Sequence, residues 1–334
     1  MTELLSVSGL SVSFRGLRGP VQVLDDVGFS LAPGRILGIV GESGSGKSVT
    51  SLAIMGLLGA SGQVDAGRIT FDGTDLTALS PAEMRARRGR DFAMIFQEPG
   101  TSLNPVLSVG FQIAEVLTEH LGLGPRAARA RAIELMDKVG IPAAQSRVDD
   151  YPHEMSGGMK QRIMIAMALA CNPRLLIADE PTTALDVTIQ GQILQLISDL
   201  REELGMAVIL ITHDMGVIAE MADQVIVMYA GQVVEEASAQ ELFTRPRHPY
   251  SRLLLRSIPS SREKQAVLPV IEGTTPAPGD LPQGCRFHPR CPIADDGCRA
   301  RVPSLLPLEQ GRRARCLRLD AADTVLIRAL EAAR

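Results

Sequence analysis

Residues 41–48 read Gly-Glu-Ser-Gly-Ser-Gly-Lys-Ser, which matches the phosphate-loop pattern G-x-x-x-x-G-K-S/T. An apolar run at residues 35–40 precedes it and predicts a strand, and residues 49–58 follow with the pattern of a buried helix. Glycines let successive backbone N–H groups point at phosphate oxygens, and the helix N-terminus adds positive potential. The sequence therefore predicts a nucleotide site, against the plainer alternative of a turn that only joins a strand to a helix.

The residues of this loop have separate predicted roles. We expect Lys47 to reach the β- and γ-phosphates of the nucleotide and the Ser48 hydroxyl to bind Mg²⁺. The other predicted nucleotide contacts are Gly41, Ser43, Gly44, Gly46 and Val49.

Two continuous apolar runs end in polar residues. Residues 175–178 lead into Asp179 and Glu180, and residues 208–212 lead into His213. Such runs, separated by helical patterns, predict a parallel sheet buried on both faces, with ligands at the carboxyl ends of its strands. We expect Asp179 to hold Mg²⁺ and Glu180 to accept a proton from, or orient, the attacking water. The alternative is a pair of acids that only ends a strand in a turn.

Further patterns surround these motifs. Residues 4–40 alternate in short apolar runs, which predicts antiparallel β structure, and residues 67–79 predict a hairpin that turns at Asp72 and Gly73. Residues 109–138 have helical spacing and predict a helical insertion. Phe14, upstream of the phosphate loop, is a candidate to stack on a nucleotide base or else an ordinary core residue.

Two polar motifs lie between the phosphate loop and the acidic pair. Residues 91–96 predict a strand that delivers Gln97, and the prolines of residues 98–105 exclude a helix there. Ser156 is a good helix cap, and Gly157 and Gly158 expose N–H groups at the start of a helix, which makes an anion receptor. The alternative is a plain helix cap.

Composition limits the class of protein. The chain has 334 residues, 45% hydrophobic and 22% charged, which is ordinary for a globular protein. Its formal net charge of -4 gives no basic field, so we expect no nucleic-acid partner. The start has no signal-peptide pattern, and no apolar run is long enough to span a bilayer. We expect a soluble, cytoplasmic protein that relies on another chain for any work at a membrane.

The motifs occur in the order found in ABC-transporter nucleotide-binding subunits, which this chain resembles. The resemblance implies ATP and Mg²⁺ as ligands, a P-loop NTPase fold of the α/β class, and ATP hydrolysis. It implies that Gln97 contacts the metal and couples to membrane subunits, that His213 contacts the γ-phosphate, and that Asp186 communicates across a dimer. Ser156, Gly157 and Gly158 would serve the ATP of a partner subunit. The signature departs from the common Leu-Ser-Gly-Gly-Gln at Met155 and Met159.

Several stretches resemble the peptide/nickel importer branch of this family. They are residues 96–99, 102–105, 180–188, 228–232, 247–250 and 284–292. The resemblance implies an ATPase domain at 1–245 with an antiparallel β subdomain and a helical subdomain at about 98–172. Residues 246–334 would form a Cys-rich C-terminal extension.

The resemblance is strongest to the ATP-binding subunits of bacterial dipeptide and oligopeptide permeases. It implies an ATPase that powers uptake of di- and oligopeptides from the cytoplasmic face of the cell membrane. The implied partners are a second, non-identical ATPase, two integral membrane permeases and an extracytoplasmic peptide-binding protein. The alternatives are the same cassette serving nickel or another small solute, and a soluble ABC ATPase of translation or DNA repair.

Four of the five cysteines lie near the C-terminus, at Cys285, Cys291, Cys298 and Cys316. Cys171 stands alone in a stretch with an apolar helical pattern, so we expect it to be a core residue. The four are separated by five, six and seventeen residues, without the close pairs that zinc modules favour. Nearby arginines, among them Arg286 and Arg290, are placed to offset the charge of thiolates. With the family resemblance, this predicts a structural 4Fe–4S cluster, with zinc or no metal as alternatives.

Overall fold

The computed structural model describes residues 3–17, 19–97, 102–183, 185–257 and 270–319. Residues 98–101 of the predicted loop, Ala184, and residues 258–269 and 320–334 of the predicted extension lie outside the described residues.

The strands and helices of the described residues are numbered in chain order. The strands are β1 (Leu5–Gly16), β2 (Gly19–Leu31), β3 (Ile36–Val40), β4 (Gly62–Phe71), β5 (Thr74–Asp75), β6 (Phe92–Ile95), β7 (Leu175–Asp179), β8 (Ala207–Ile211), β9 (Gln224–Tyr229), β10 (Gln232–Ser238), β11 (Leu306–Pro307) and β12 (Arg313–Ala314). The α-helices are α1 (Lys47–Ile54), α2 (Pro81–Arg87), α3 (Val109–Leu121), α4 (Pro125–Lys138), α5 (Ala144–Arg147), α6 (Gly157–Leu169), α7 (Val187–Leu204), α8 (Met215–Met221), α9 (Ala239–Thr244), α10 (Pro249–Arg256) and α11 (Asp296–Ala300).

The chain divides into two compact units that alternate along the sequence. The first unit comprises Met1–Leu4, Leu31–Arg35 and Ala78–Ile211. The second unit comprises Leu5–Ser30, Ile36–Thr77 and Thr212–Arg334. The phosphate loop therefore belongs to the second unit, whereas Gln97, the Ser156 motif and the acidic pair belong to the first.

The first unit contains three parallel strands. β6 pairs with β7 and β7 with β8, and every residue of β7 and β8 is buried. Burial on both faces explains why these strands are continuously apolar, so the prediction of a buried parallel sheet is confirmed.

The predicted helical insertion is two helices. α3 begins after Ser108, whose hydroxyl accepts a hydrogen bond from the backbone N–H of Phe111, and it ends at Gly122 in the left-handed conformation. α4 begins at Pro125, a residue favoured in the first helical turn. A glycine cap followed by a proline thus divides a pattern that reads as one helical stretch in the sequence. None of the described helices is both long and apolar enough to span a bilayer.

The second unit contains antiparallel strands in the order β2-β1-β4-β5, and β4 turns into β5 through Asp72 and Gly73, both at positive φ. The predicted hairpin is confirmed. β3 differs from the antiparallel structure expected for residues 4–40, because it pairs in parallel with β9. β9, β10, β12 and β11 then pair antiparallel in that order.

Aromatic rings join the C-terminal segments to the rest of the second unit. Tyr229 at the end of β9 packs against Tyr250 and Phe287, with ring centroids 4.8 and 5.1 Å away. His248 lies 5.8 Å from Phe287, and all four rings are buried. Burial of such large apolar surfaces stabilises the docking of these segments.

The burial of His248 leads us to expect that the free energy of unfolding depends on pH. Its Nδ1 accepts a hydrogen bond from the backbone N–H of Tyr250 at 3.0 Å, and burial lowers the pKa of His248 to about 3. The unfolded histidine, with an ordinary pKa of 6.5, binds a proton as the pH falls, while the folded one stays neutral until about pH 3. We expect this residue alone to lower the free energy of unfolding by roughly 2 kcal/mol between pH 7 and pH 5.

Urea unfolding at both pH values, compared between wild type and His248→Gln, measures this contribution. The variant cannot titrate, so its stability should fall less on acidification. An equal fall in both proteins would contradict the prediction.

Candidate functional site

The backbone of the phosphate loop is confined by its surroundings. A Cβ on Gly41 would lie 2.2 Å from the carbonyl oxygen of Met228, and one on Gly46 would lie 2.6 Å from Leu24. Gly41, Gly44 and Gly46 all have positive φ, and Gly46 immediately precedes α1. Only glycine combines this conformation with this close approach, so the loop retains an open backbone whose N–H groups can face a ligand.

The side chains of the loop present one cation and two hydroxyls. Lys47 is buried, and its Nζ donates hydrogen bonds to the carbonyl oxygens of Gly41 at 2.8 Å and Glu42 at 3.0 Å. Ser43 and Ser48 are exposed, and Val49 is half-buried. The Lys47 ammonium group and the backbone N–H groups at the start of α1 together are hydrogen-bond donors of the kind that bind a polyphosphate.

Glu42 forms several hydrogen bonds, although the phosphate-loop pattern assigns no role to the residue at this position. Its backbone N–H donates to the hydroxyl of Tyr250 at 2.9 Å. Its carboxylate accepts two hydrogen bonds from Arg290, at 2.6 and 3.0 Å, and one from Thr275 at 2.6 Å. Burial opposes ionisation, but the hydrogen bonds from Arg290 and Thr275 outweigh it and hold the pKa of Glu42 below its ordinary value. The loop is thereby bound to segments far along the chain.

In the first unit, the structure brings Gln97 and Glu180 together. Asp179 ends β7 and is 5% exposed. Glu180 follows it at a φ of 48°, and its Oε2 accepts hydrogen bonds from Nε2 of Gln97 and Oγ1 of Thr183, each at 2.8 Å. A left-handed conformation is rare for a glutamate and costs energy, and such strain occurs often at functional sites. The Glu180 carboxylate is thus held in one orientation.

Ser156, Asp186 and His213 lie at or just before the start of a helix. Ser156 caps α6 by accepting from the N–H of Met159 at 3.3 Å, with Gly157 exposed and Gly158 half-buried. Asp186 caps α7. In the second unit, His213 is exposed in the turn between β8 and α8, where Asp214 caps the helix.

Phe14 is half-buried in β1, where its ring packs close to Gly62 on β4. This placement is compatible with both interpretations of Phe14, so its role as a base-stacking residue stays a prediction.

Comparisons with known proteins identify the family. A family model described as ABC transporter matches residues 24–183, and one described as oligopeptide/dipeptide transporter, C-terminal region, matches residues 234–298. The dipeptide transport ATP-binding protein DppD of Escherichia coli (strain K12) is 52% identical over 94% of this chain and 96% of that protein. This chain belongs to the ABC transporter family.

Other relatives of this ABC chain agree. The oligopeptide transport ATP-binding protein AppD of Bacillus subtilis (strain 168) is 51% identical over 95% of this chain and 97% of that protein. The solved dimeric, post-hydrolysis structure of the ATP-binding cassette MJ0796 bound to ADP and Pi is 28% identical with a TM-score of 0.63, covering 70% of this chain and 98% of that one. The chain is therefore an ABC ATPase with the P-loop α/β fold, as its motifs predicted.

The predicted 4Fe–4S cluster is wrong, and its zinc alternative gains no support. Within the described residues, no group of three or more His, Cys, Asp or Glu side chains is arranged to hold a metal ion. The relatives DppD and AppD are named only as ATP-binding proteins of peptide transport.

The physical reason is geometric, because a cluster requires several ligand side chains to converge, and no such group is found among the described residues. Burial raises the pKa of all four C-terminal cysteines, with smaller effects from neighbouring groups, to about 12 for Cys291 and about 11 for Cys316. Without a metal, such neutral thiols behave as small, partly apolar residues. The lone Cys171 is half-buried, and burial raises the pKa of its thiol too.

Sequence reasoning missed Tyr250, Thr275 and Arg290 as partners of Glu42 in the phosphate loop. The sequence analysis included Tyr250 only in a family stretch, and it included Arg290 only in another such stretch and as a charge near cysteines. Arg290 is 248 residues from Glu42, and neither residue lies in a periodic pattern that points to the other. No local signal could have paired them.

Substitution of Glu180 tests its predicted role in ATP hydrolysis. We expect Glu180→Gln to keep ATP binding but to lower kcat by roughly 10²- to 10⁴-fold, because the change removes a proton acceptor and little volume. The measurement is ATP hydrolysis by the assembled transporter, together with ATP affinity. Glu134→Gln is the matched control, since Glu134 is an exposed carboxylate of the same unit that pairs with Arg131. Near-normal hydrolysis by Glu180→Gln would refute the assignment.

Proposed function

We propose that this ABC ATPase powers the uptake of di- and oligopeptides at the cytoplasmic face of the cell membrane. The observation that carries the proposal is the similarity to DppD and AppD over 94–95% of the chain, together with the match of residues 234–298 to the C-terminal region of peptide transporters. The alternatives of a nickel or small-solute cassette, and of a soluble ATPase of translation or DNA repair, are not favoured by these relatives.

The phosphate loop is the proposed binding site of ATP. Its glycine backbone and the start of α1 fit the phosphate oxygens, and Lys47 supplies a positive charge to the β- and γ-phosphates. Ser43 and Val49 complete the loop contacts, and Phe14 is the proposed stacking partner of the adenine.

Oxygen donors for Mg²⁺ are present in both units. We assign the Ser48 hydroxyl, the carboxylate of Asp179 and the side-chain oxygen of Gln97 to the metal, because Mg²⁺ binds oxygen ligands. When bound, the ion offsets the charge of the phosphates. Glu180 is the proposed acceptor of the proton from the attacking water, oriented by its hydrogen bonds from Gln97 and Thr183. His213 is the proposed contact of the γ-phosphate.

The partners follow from the exposed signature. Ser156 and Gly157 lie exposed at the start of α6, where N–H groups and the helix dipole favour an anion. We assign this helix start to the ATP held by a second, non-identical ATPase subunit, and Asp186 to communication between the two. Two membrane permeases and an extracytoplasmic peptide-binding protein complete the proposed transporter, with the Gln97 loop coupling hydrolysis to the permeases.

Residues 1–245 are the proposed ATPase domain, with a helical subdomain at about 98–172. Residues 246–334 are the proposed peptide-importer extension. The family match at residues 234–298 supports a boundary in this region.

Uptake in cells tests the substrate class. Deletion of the gene should abolish accumulation of a labelled dipeptide, and the wild-type gene should restore it. Lys47→Ala should not restore it because the variant lacks the charge that holds the phosphates, whereas the control Glu134→Gln should. Normal peptide uptake in the deletion strain, with loss of nickel uptake instead, would refute the peptide assignment.

Dependence on partners is a separate prediction. Because we assign the Ser156 signature to another subunit's ATP, the purified chain alone should hydrolyse ATP slowly, and addition of the partner ATPase and permeases should raise the rate at least tenfold. The rates are measured as phosphate release, with light scattering to establish the oligomeric state. Fast hydrolysis by a demonstrated monomer would contradict the shared-site proposal.

A further inference from the structure

We propose that Arg290 is a positioning residue for the phosphate loop, so that the affinity for ATP depends on a side chain in the C-terminal segment, residues 270–319. The inference rests on the proposed binding of ATP at this loop. It adds that the loop binds ATP more tightly when the carboxylate of Glu42 is paired than when it is left unpaired.

All five N–H groups of Arg290 have partners. Nε donates to the carbonyl oxygen of Glu272 at 2.8 Å, Nη1 to Glu42 and to the Tyr229 hydroxyl at 2.6 and 3.3 Å, and Nη2 to Glu42 and to the carbonyl oxygen of Ile271 at 3.0 and 3.2 Å. The side chain is only 6% exposed, and its guanidinium lies 5.7 Å from the centroid of the Tyr229 ring. A planar guanidinium with every donor used is held in one position, which a flexible surface ion pair is not.

The charge of Glu42 explains why this pairing matters for nucleotide. Glu42 is the second residue of a loop whose function is to bind a polyanion, so an unpaired carboxylate there would repel the phosphates. The hydrogen bonds from Arg290 and Thr275 also keep the pKa of Glu42 low, so the carboxylate remains charged at neutral pH. Its field is therefore cancelled by pairing with Arg290 and not by protonation.

The backbone of Glu42 is also held by hydrogen bonds. The N–H of Glu42 donates to Tyr250, and its carbonyl oxygen accepts from Nζ of Lys47 and from the N–H of Ser45, at 2.9, 3.0 and 3.2 Å. Bidentate pairing with Arg290 occupies both oxygens of the Glu42 carboxylate. If Arg290 is removed, the free carboxylate can turn toward the Lys47 ammonium, which would compete with the phosphates for that charge.

Attachment of the C-terminal segment does not require the Glu42 pair. Other arginines of the same unit form independent pairs with acids outside the loop: Arg286 with Asp25, Arg312 with Glu235, Arg313 with Glu236 and Arg315 with Asp26. These pairs provide a control that separates loosening of the segment from loss of the Glu42 partner. Arg313 is suitable because its Nε donates to the buried Glu236 at 2.6 Å, and it makes no hydrogen bond to the loop within the described residues.

The test is a charge cycle on the full-length chain. Arg290→Gln, Glu42→Gln, the double variant and Arg313→Gln are titrated with Mg-AMP-PNP by calorimetry, and kcat and KM are measured in the assembled transporter. We expect Arg290→Gln to raise Kd and KM about tenfold, the size of one charged hydrogen-bonded contact, with little change in kcat. The double variant should bind within about threefold of wild type because the repelling charge is gone. Arg290→Lys should lie between wild type and Arg290→Gln, since it keeps the charge and loses the bidentate geometry.

Several outcomes would overturn the inference. They are a Kd for Arg290→Gln within twofold of wild type, an equal loss in Arg313→Gln, or a double variant that binds no better than Arg290→Gln. Melting temperatures identify any variant that fails to fold, in which case Arg290→Lys and Glu42→Gln supply the comparison. A wild-type chain that binds no nucleotide would refute the proposed function and this inference together, whereas normal binding in every variant would refute the inference alone.

Discussion

The close approach of the phosphate loop to the end of β9 is the constraint on which the second unit depends. Gly41 leaves β3 where any Cβ would collide with the carbonyl oxygen of Met228, so β3 and β9 must pair in register for the loop to exist. The turn after β9 contacts the loop again, since the N–H of Gly231 donates to the carbonyl oxygen of Ser45 at 2.9 Å. Arg286 of the C-terminal segment donates to the carbonyl oxygen of Ala230 in that turn. The loop is therefore supported by strands and by the C-terminal segment at once.

That support uses buried charges, which are stable only when every lone pair and proton has a partner. Glu235 is fully buried and accepts hydrogen bonds from the backbone N–H groups of Arg247 and His248, both at 2.7 Å, and from Arg312 at 3.3 Å. Burial still raises the pKa of Glu235, so desolvation outweighs these hydrogen bonds in setting its ionisation. Such pairs add little net stability compared with apolar contacts, but an arginine displaced from its acid leaves a buried charge. These pairs and the buried aromatic rings together hold the C-terminal segment in place.

The parts of the fold that the sequence predicts are those whose physical cause lies within a few residues. The glycines of the phosphate loop, the apolar run before Asp179 and the cap at Ser156 each depend on their immediate neighbours, and the structure places each on the expected element. The parallel partner of β3 and the pairing of Glu42 with Arg290 depend instead on residues far apart in the chain. Hydrophobic periodicity carries no information about which distant side chain meets another, so these features required the structure.

The wrong prediction of a metal site at the cysteines also arose because sequence spacing does not show which distant side chains meet. The same limit applies to the arginines beside those cysteines. Spacing along the chain shows that four thiols are available, but a metal site requires their sulfur atoms to converge as thiolates at bonding distance. Arg286 and Arg290 were expected to offset the charge of such a centre. They pair instead with Asp25 and Glu42, the second of which is in the phosphate loop. These two arginines thus hold the C-terminal segment against β2 and the phosphate loop of the same unit, and their charges are paired with carboxylates.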